Sequence, residues 1–178
     1  MREQNNIAQI IYGRSQLSET TLLKEYLQNL SPQTAKRFGP HPFDEASIIQ
    51  FYQSSPQIIG YTAFDKSTDK IIAYAVVKIG YLDHDLPRLE QYGKNFNKVT
   101  DCTFAPSVAD EWQGKGIGSG FFNFIKNSLE KQGIKRMILW GGVQADNERA
   151  LNFYLKHGFY LLGQFEYNGS NYDMMFDL

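Results

Sequence analysis

Cysteine is almost missing: Cys102 stands alone in 178 residues, so the chain can close no internal disulfide and build no cysteine-ligated metal site. Histidine is nearly as scarce, and the three present, at positions 41, 84 and 157, are too scattered to make a metal set, so no metal is expected. No apolar run approaches the ~18 residues of a membrane span. Apart from Met1 the first six residues are polar or charged, unlike a signal peptide, and a cytoplasmic location is expected. A surplus of one charge is also lacking. With 18 Lys and Arg against 19 Asp and Glu and no block of like sign, neither nucleic acid nor a membrane surface is an expected partner. Repeats and low-complexity tracts are absent.

What remains suits one globular unit with a full core, since 42% of residues are hydrophobic and 15% aromatic. A single domain over 1–178 is expected. The patterning predicts a strand at 7–12, a helix within 15–30 broken at Ser31-Pro32, and a loop through Gly39-Pro40-His41-Pro42. A short helix capped by Asp44 follows, then a hairpin of 57–65 and 70–80 rich in β-branched and aromatic residues. Residues 81–97 read as loop, with aromatics expected to be exposed and to form either a dimer surface or an acceptor lid. A strand from 98 to about 109 leads into a helix over 121–132 that Gly133 stops. A strand at 136–140, a helix from Asp146 or Asn147 to Gly158, and strands at 159–167 and 172–176 complete the chain. This order predicts an α+β fold with a mixed, mostly antiparallel central sheet and helices on both faces.

The glycines gather where chemistry would need them. Gln113-Gly114-Lys115-Gly116-Ile117-Gly118 lies between a predicted strand and a predicted helix. Three glycines remove side chains that would keep an anion from the main-chain N–H groups of a helix start, and the helix dipole adds about half a positive charge there. A phosphorylated ligand is expected. A Walker loop is excluded, because Ala109 stands where its first glycine belongs and Gly116 where its Ser or Thr belongs. A dinucleotide G-x-G-x-x-G fails as well, with Ser119 or Phe121 at the third glycine. Gln113, Gly116 and Gly118 do fit Q-x-x-G-x-G.

Downstream, 147–159 combines Asn147, Ala150, Phe153, Tyr154, Gly158 and Phe159 at helical spacing with a glycine exit. With these two motifs at this separation, the chain resembles the GCN5-related N-acetyltransferase (GNAT) family from about residue 70 onward. The resemblance implies an acetyl-CoA-dependent N-acetyltransferase with 98–160 as the acetyl-CoA-binding core and 1–55 as acceptor-side helices. It implies that main chain at Ser107, Val108 and Ala109 pairs with the pantetheine arm. It further implies that N–H groups at Gln113, Gly114, Lys115, Gly116, Ile117, Gly118 and Ser119 hold the pyrophosphate. Asn147 would touch the arm, and Tyr154 would stand near the thioester sulfur as general acid.

The acceptor end carries a harder demand. A lysine-like amine of pKa about 10.4 is neutral at pH 7 at a cost near ~4.6 kcal/mol, so a base or a water chain is expected. The strand before the loop lacks the glutamate often found in the family, and Asp101 is the substitute that the strand offers. Arg37 and His41, in a rigid basic and aromatic segment, are the candidate acceptor contacts. Cys102 reads as strand core rather than nucleophile. A noncatalytic acyl-CoA-binding regulatory module is the competing reading, since it would keep the cradle without a competent acid and base.

Overall fold

The protein is described by a computed structural model covering residues 9–178. Of the predicted first strand, Ile7 and Ala8 lie outside the described residues, and β1 occupies Ile10–Arg14. A short 3-10 turn at Leu17–Glu19 leads into α1 (Thr20–Gln28). Ser31 does break that helix, but it also begins another, because its hydroxyl accepts from the Thr34 N–H and Pro32 fills the first turn of α2 (Pro32–Lys36). Asp44 caps α3 (Glu45–Gln53) as expected, accepting from the Ser47 N–H at 2.9 Å.

The predicted hairpin is β2 (Ile58–Asp65) and β3 (Lys70–Ile79). Within 81–97 lies a helix the sequence reading did not assign, α4 (Leu86–Glu90). Its aromatics are not the exposed set expected there: Tyr81 is buried with Leu89, Ile138 and Met175, and Tyr92 and Phe96 pack on them. β4 runs over Asp101–Val108, starting three residues later than predicted, and α5 over Ile117–Glu130. β5 (Arg136–Leu139) is followed by a two-residue strand, β6 (Val143–Gln144), too short to leave a pattern. α6 (Glu148–Lys156), β7 (Tyr160–Glu166) and β8 (Ser170–Asp177) finish the chain.

The eight strands form one mixed sheet in which β4 and β5 are parallel and every other pairing is antiparallel. Helices cover both faces. On one, α5 buries Ile117, Phe121, Phe122, Ile125 and Leu129 against Ala73, Ala75, Val77, Cys102 and Phe104. Each such side chain contributes about 1.5–3 kcal/mol when removed from water. On the other, Leu23, Tyr26 and Leu27 of α1 and Ile48 of α3 pack on Tyr74 and Val76. The alternation along β3, odd residues to one face and even to the other from 73 to 77, is the period-2 pattern of a strand buried on both sides.

Candidate functional site

The sheet opens at its centre. β4 and β5 pair only from Asp101↔Arg136 to Phe104↔Leu139, closed by the Trp140 N–H donating to the Phe104 carbonyl at 2.9 Å. There the left-handed Gly141 and Gly142 (φ 64 and 72) turn the chain away to β6, which pairs with β8 instead. Among the described residues, 105–108 keep β3 as their one partner strand. The gap is the wall of a cleft of about 1750 Å³, lined on one side by Phe104, Ala105, Pro106, Ser107 and Val108 and on the other by Leu139 and Trp140.

At one end the cleft reaches the glycine loop. Gly114 and Gly116 hold φ of 75 and 84 with open space where a Cβ would stand, so backbone conformation rather than crowding demands glycine. Gly116 is the N-cap of α5 and provides no side chain to it, and the first helical bond runs from the Gly120 N–H to the Gly116 carbonyl at 3.1 Å. The N–H groups of Ile117, Gly118 and Ser119 thus precede the helical ladder. Gly118 has a different reason: a Cβ there would sit 3.3 Å from the Phe153 ring, so it lets α6 approach α5. Gly114, Gly116, Gly118 and Ser119 line the cleft, and Ser119 Oγ lies 2.9 Å from His157 Nε2. Lys115 is not on that lining; its ammonium lies 5.4 Å over the Trp112 ring. The Ile117 side chain points into the core, which leaves only its main chain for the cradle.

Tyr154 and Asn147 reach the cleft from α6. Asn147 caps that helix, its Oδ1 accepting from the Ala150 N–H at 3.3 Å, and Gly158 ends it at φ 89. The Tyr154 ring packs on Phe153 and Phe159, and burial alone raises its hydroxyl well above the ordinary tyrosine value, keeping the proton on oxygen.

Two expected acceptor-side residues fall elsewhere. Asp101 is fully buried at the far end of β4 from the glycine loop and outside the cleft lining. Arg136 donates to both its oxygens at 2.8 Å, and the Asn97 N–H donates to Oδ2 at 2.7 Å. Its role as base is therefore corrected: the carboxylate belongs to an ion pair that fastens β4 to β5. His41 is also corrected as an acceptor contact. It is buried behind the wall, with Nε2 2.9 Å from the Tyr74 hydroxyl and Nδ1 2.7 Å from the Pro42 carbonyl, and burial lowers its pKa. Arg37 does line the cleft, steered by Gln144 Oε1 at 3.3 Å and Asp146 Oδ1 at 3.5 Å.

The structure adds contacts that sequence reading passed over. Asp110 accepts from the Ser31 N–H (2.9 Å), the Ser31 hydroxyl (2.7 Å) and the Thr34 hydroxyl (2.7 Å), tying the start of α2 to the start of the glycine loop. With Arg37 held on the other side by β6 and the α6 entrance, the α2 segment bridges both walls of the cleft. Gln113 donates through Nε2 to the Val108 carbonyl at 2.9 Å and accepts from Arg149, linking the strand edge to α6. Pro106 carried a signal of its own, because a proline inside a strand turns its missing N–H toward an unpaired edge.

A parallel pair that splits at the centre of a mixed sheet and runs into an uncapped helix start defines the class of fold. The family model of the acetyltransferase (GNAT) family matches residues 23–159, and the chain belongs to that family of N-acetyltransferases. No curated protein sequence matches the chain. Solved structures share the fold at low identity. The PaiA N-acetyltransferase of Thermoplasma acidophilum in complex with coenzyme A superposes at TM-score 0.64 with 16% identity over 95% of this chain and 99% of that one. The AAC(6')-Ib protein in complex with paromomycin and acetyl-CoA does so at 0.69 with 16% identity over 94% and 93%. The Escherichia coli ribosomal-protein-S18-alanine N-acetyltransferase gives 0.65 with 15% identity over 94% and 93%.

Proposed function

We propose that the protein transfers acetyl from acetyl-CoA directly to a primary amine of a small molecule or a protein, with Tyr154 protonating the departing sulfur. The observation that carries this reading is the unpaired edge of β4 leading into the uncapped start of α5, with Tyr154 lining the same cleft. An amide-bearing arm can add to such an edge as a further strand, and a pyrophosphate can take the N–H groups at its end. A thiolate, of pKa about 8.5, is a fair leaving group, so a neutral phenol is a sufficient acid. In this reading 98–160 forms the coenzyme core, and the helices within 1–55 build the acceptor side, with Arg37 facing the acceptor.

With Asp101 locked in its ion pair, the acceptor's proton has another route. Among the cleft-lining carboxylates, Asp85 is held by Arg88 at 2.9 Å, Asp110 by Ser31 and Thr34, and Asp146 by Arg37. Glu148 and Glu166 are exposed to solvent, as is His84, the one histidine on the lining, which stands 3.6 Å from Asp85. The amine therefore reacts as its neutral minority and gives its proton to water. The molecules named with two of the relatives above, paromomycin bound to one and the alanine of ribosomal protein S18 for the other, are dissimilar, so the fold by itself selects no acceptor. The noncatalytic module has one observation in its favour, the unavailability of Asp101; family membership and Tyr154 weigh against it. The test is thiol release from acetyl-CoA over a panel of amines, with the acetylated product identified by mass. Coenzyme binding without turnover on any amine favours the module, and absence of coenzyme binding removes both readings.

A further inference from the structure

The cleft-facing edge of β4 offers fewer hydrogen-bonding groups than a strand of its length should. In the antiparallel ladder with β3, the Ala109 N–H donates to the Ile72 carbonyl (2.9 Å) and the Gly80 N–H to the Asp101 carbonyl (2.7 Å), so the odd positions of β4 turn their main-chain groups to β3. Ser107 and Ala109 therefore present none to the cleft, which narrows the expected main-chain contacts to Val108. Even positions face the other way, as the bond from Trp140 to the Phe104 carbonyl shows. Beyond Phe104 that leaves positions 106 and 108, nominally two donors and two acceptors. Pro106 has no N–H. The Val108 carbonyl is taken by Gln113 Nε2 at 2.9 Å.

We infer that Pro106 and Gln113 fix the register in which an amide-bearing coenzyme arm pairs with β4, by leaving that edge one donor, the Val108 N–H, and one acceptor, the Pro106 carbonyl. The inference rests on the coenzyme reading above. An arm running from the glycine loop toward Tyr154 places one carbonyl on the Val108 N–H and one N–H on the Pro106 carbonyl. A slip of two residues toward Phe104 moves every atom by about 6.6 Å and brings a ligand carbonyl against the proline ring, where no donor exists. Tyr154 is fixed on α6, so the register decides whether the thioester sulfur stops beside its hydroxyl. Pro106 and Gln113 are thus positioning residues: they act on where the reacting atoms come to rest, not on the reaction itself.

Restoring the donor is the direct test. Pro106→Ala gives the edge a second N–H, and one net hydrogen bond tightens the dissociation constant for coenzyme A roughly two- to tenfold by calorimetry. Adenosine 3',5'-bisphosphate, which lacks the arm, binds the wild type and the variant equally. In the wild type, amide exchange followed by NMR gives a readout independent of the variant's folding. Coenzyme A slows exchange at Val108 by about tenfold or more, while Ala105, Ser107 and Ala109, already bonded to β3, change little. A folded Pro106→Ala protein with unchanged or weaker coenzyme A affinity overturns the inference, as does tightening of both ligands alike or protection that bypasses Val108. No coenzyme A binding to the wild type overturns it together with the coenzyme reading; binding with any of the other failures overturns it alone.

Discussion

Tyr154, Asp101 and His41 are three polar side chains that the sequence offers for the site, all of them buried, and what each touches sorts them. Tyr154 is buried on a cleft wall with its proton held on oxygen. Tyr154→Phe keeps the packing with Phe159 and removes the proposed acid, so kcat should fall about a hundredfold or more with acetyl-CoA affinity unchanged. Asp101 faces Arg136 inside the sheet, and Asp101→Ala strands a guanidinium there. The loss is about 3–5 kcal/mol, which lowers Tm by roughly 10 °C on thermal unfolding, while kcat of the folded fraction stays at the wild-type value. His41 is a neutral member of a buried tyrosine network, its Nε2 beside Tyr74 and Tyr74 in turn 2.6 Å from the Tyr52 hydroxyl. Its folded pKa lies below the ordinary value of about 6.5, so as pH falls past that value the unfolded chain takes up a proton that the folded one refuses. The stability His41 contributes is therefore present above pH ~6.5 and lost on acidification. Urea unfolding of His41→Gln should be flatter than wild type between pH 7.5 and 5.

At the scale of elements, what the sequence made legible was whatever repeats at short range. The period of α5 and α6, the β2–β3 hairpin, the Asp44 cap and the glycine exits at 133 and 158 follow from local chemistry and stand within a few residues of their expected places. The missed elements, α2, α4 and β6, have two to five residues and owe their form to tertiary partners: Asp110 for α2, the Arg88 pair with Asp173 for α4, β8 for β6. The glycine-loop end of the cleft was legible because glycines in sequence mark it. The acceptor end was not, because choosing among Asp101, Arg37 and His41 required knowing which end of β4 borders the gap. Gly116→Ala places a Cβ at a left-handed φ in otherwise open space, so it should cost about 1–2 kcal/mol by chemical denaturation and weaken coenzyme A binding. Asp110→Ala frees the first turn of α2 and should speed amide exchange across 33–36 while leaving α5 protected.

Across the whole molecule, two helical layers hold a sheet that is continuous except at its centre, and the gap is where the proposed function brings a carrier arm and an amine together. No described helix is long and apolar enough to cross a membrane. Because the cleft contains no free buried carboxylate among the described residues, log kcat/KM should rise with unit slope in pH until the acceptor's own pKa is reached. A plateau near neutrality would reveal a base in the protein. The most direct test of the central claim is thiol release from acetyl-CoA measured with an amine panel for wild type and Tyr154→Phe side by side. The account predicts thiol and N-acetylated amine in equal amounts from the wild type, and turnover lowered about a hundredfold or more in the variant at equal acetyl-CoA affinity. Saturable acetyl-CoA binding with no thiol released on any amine, or equal turnover by the two proteins, would contradict it.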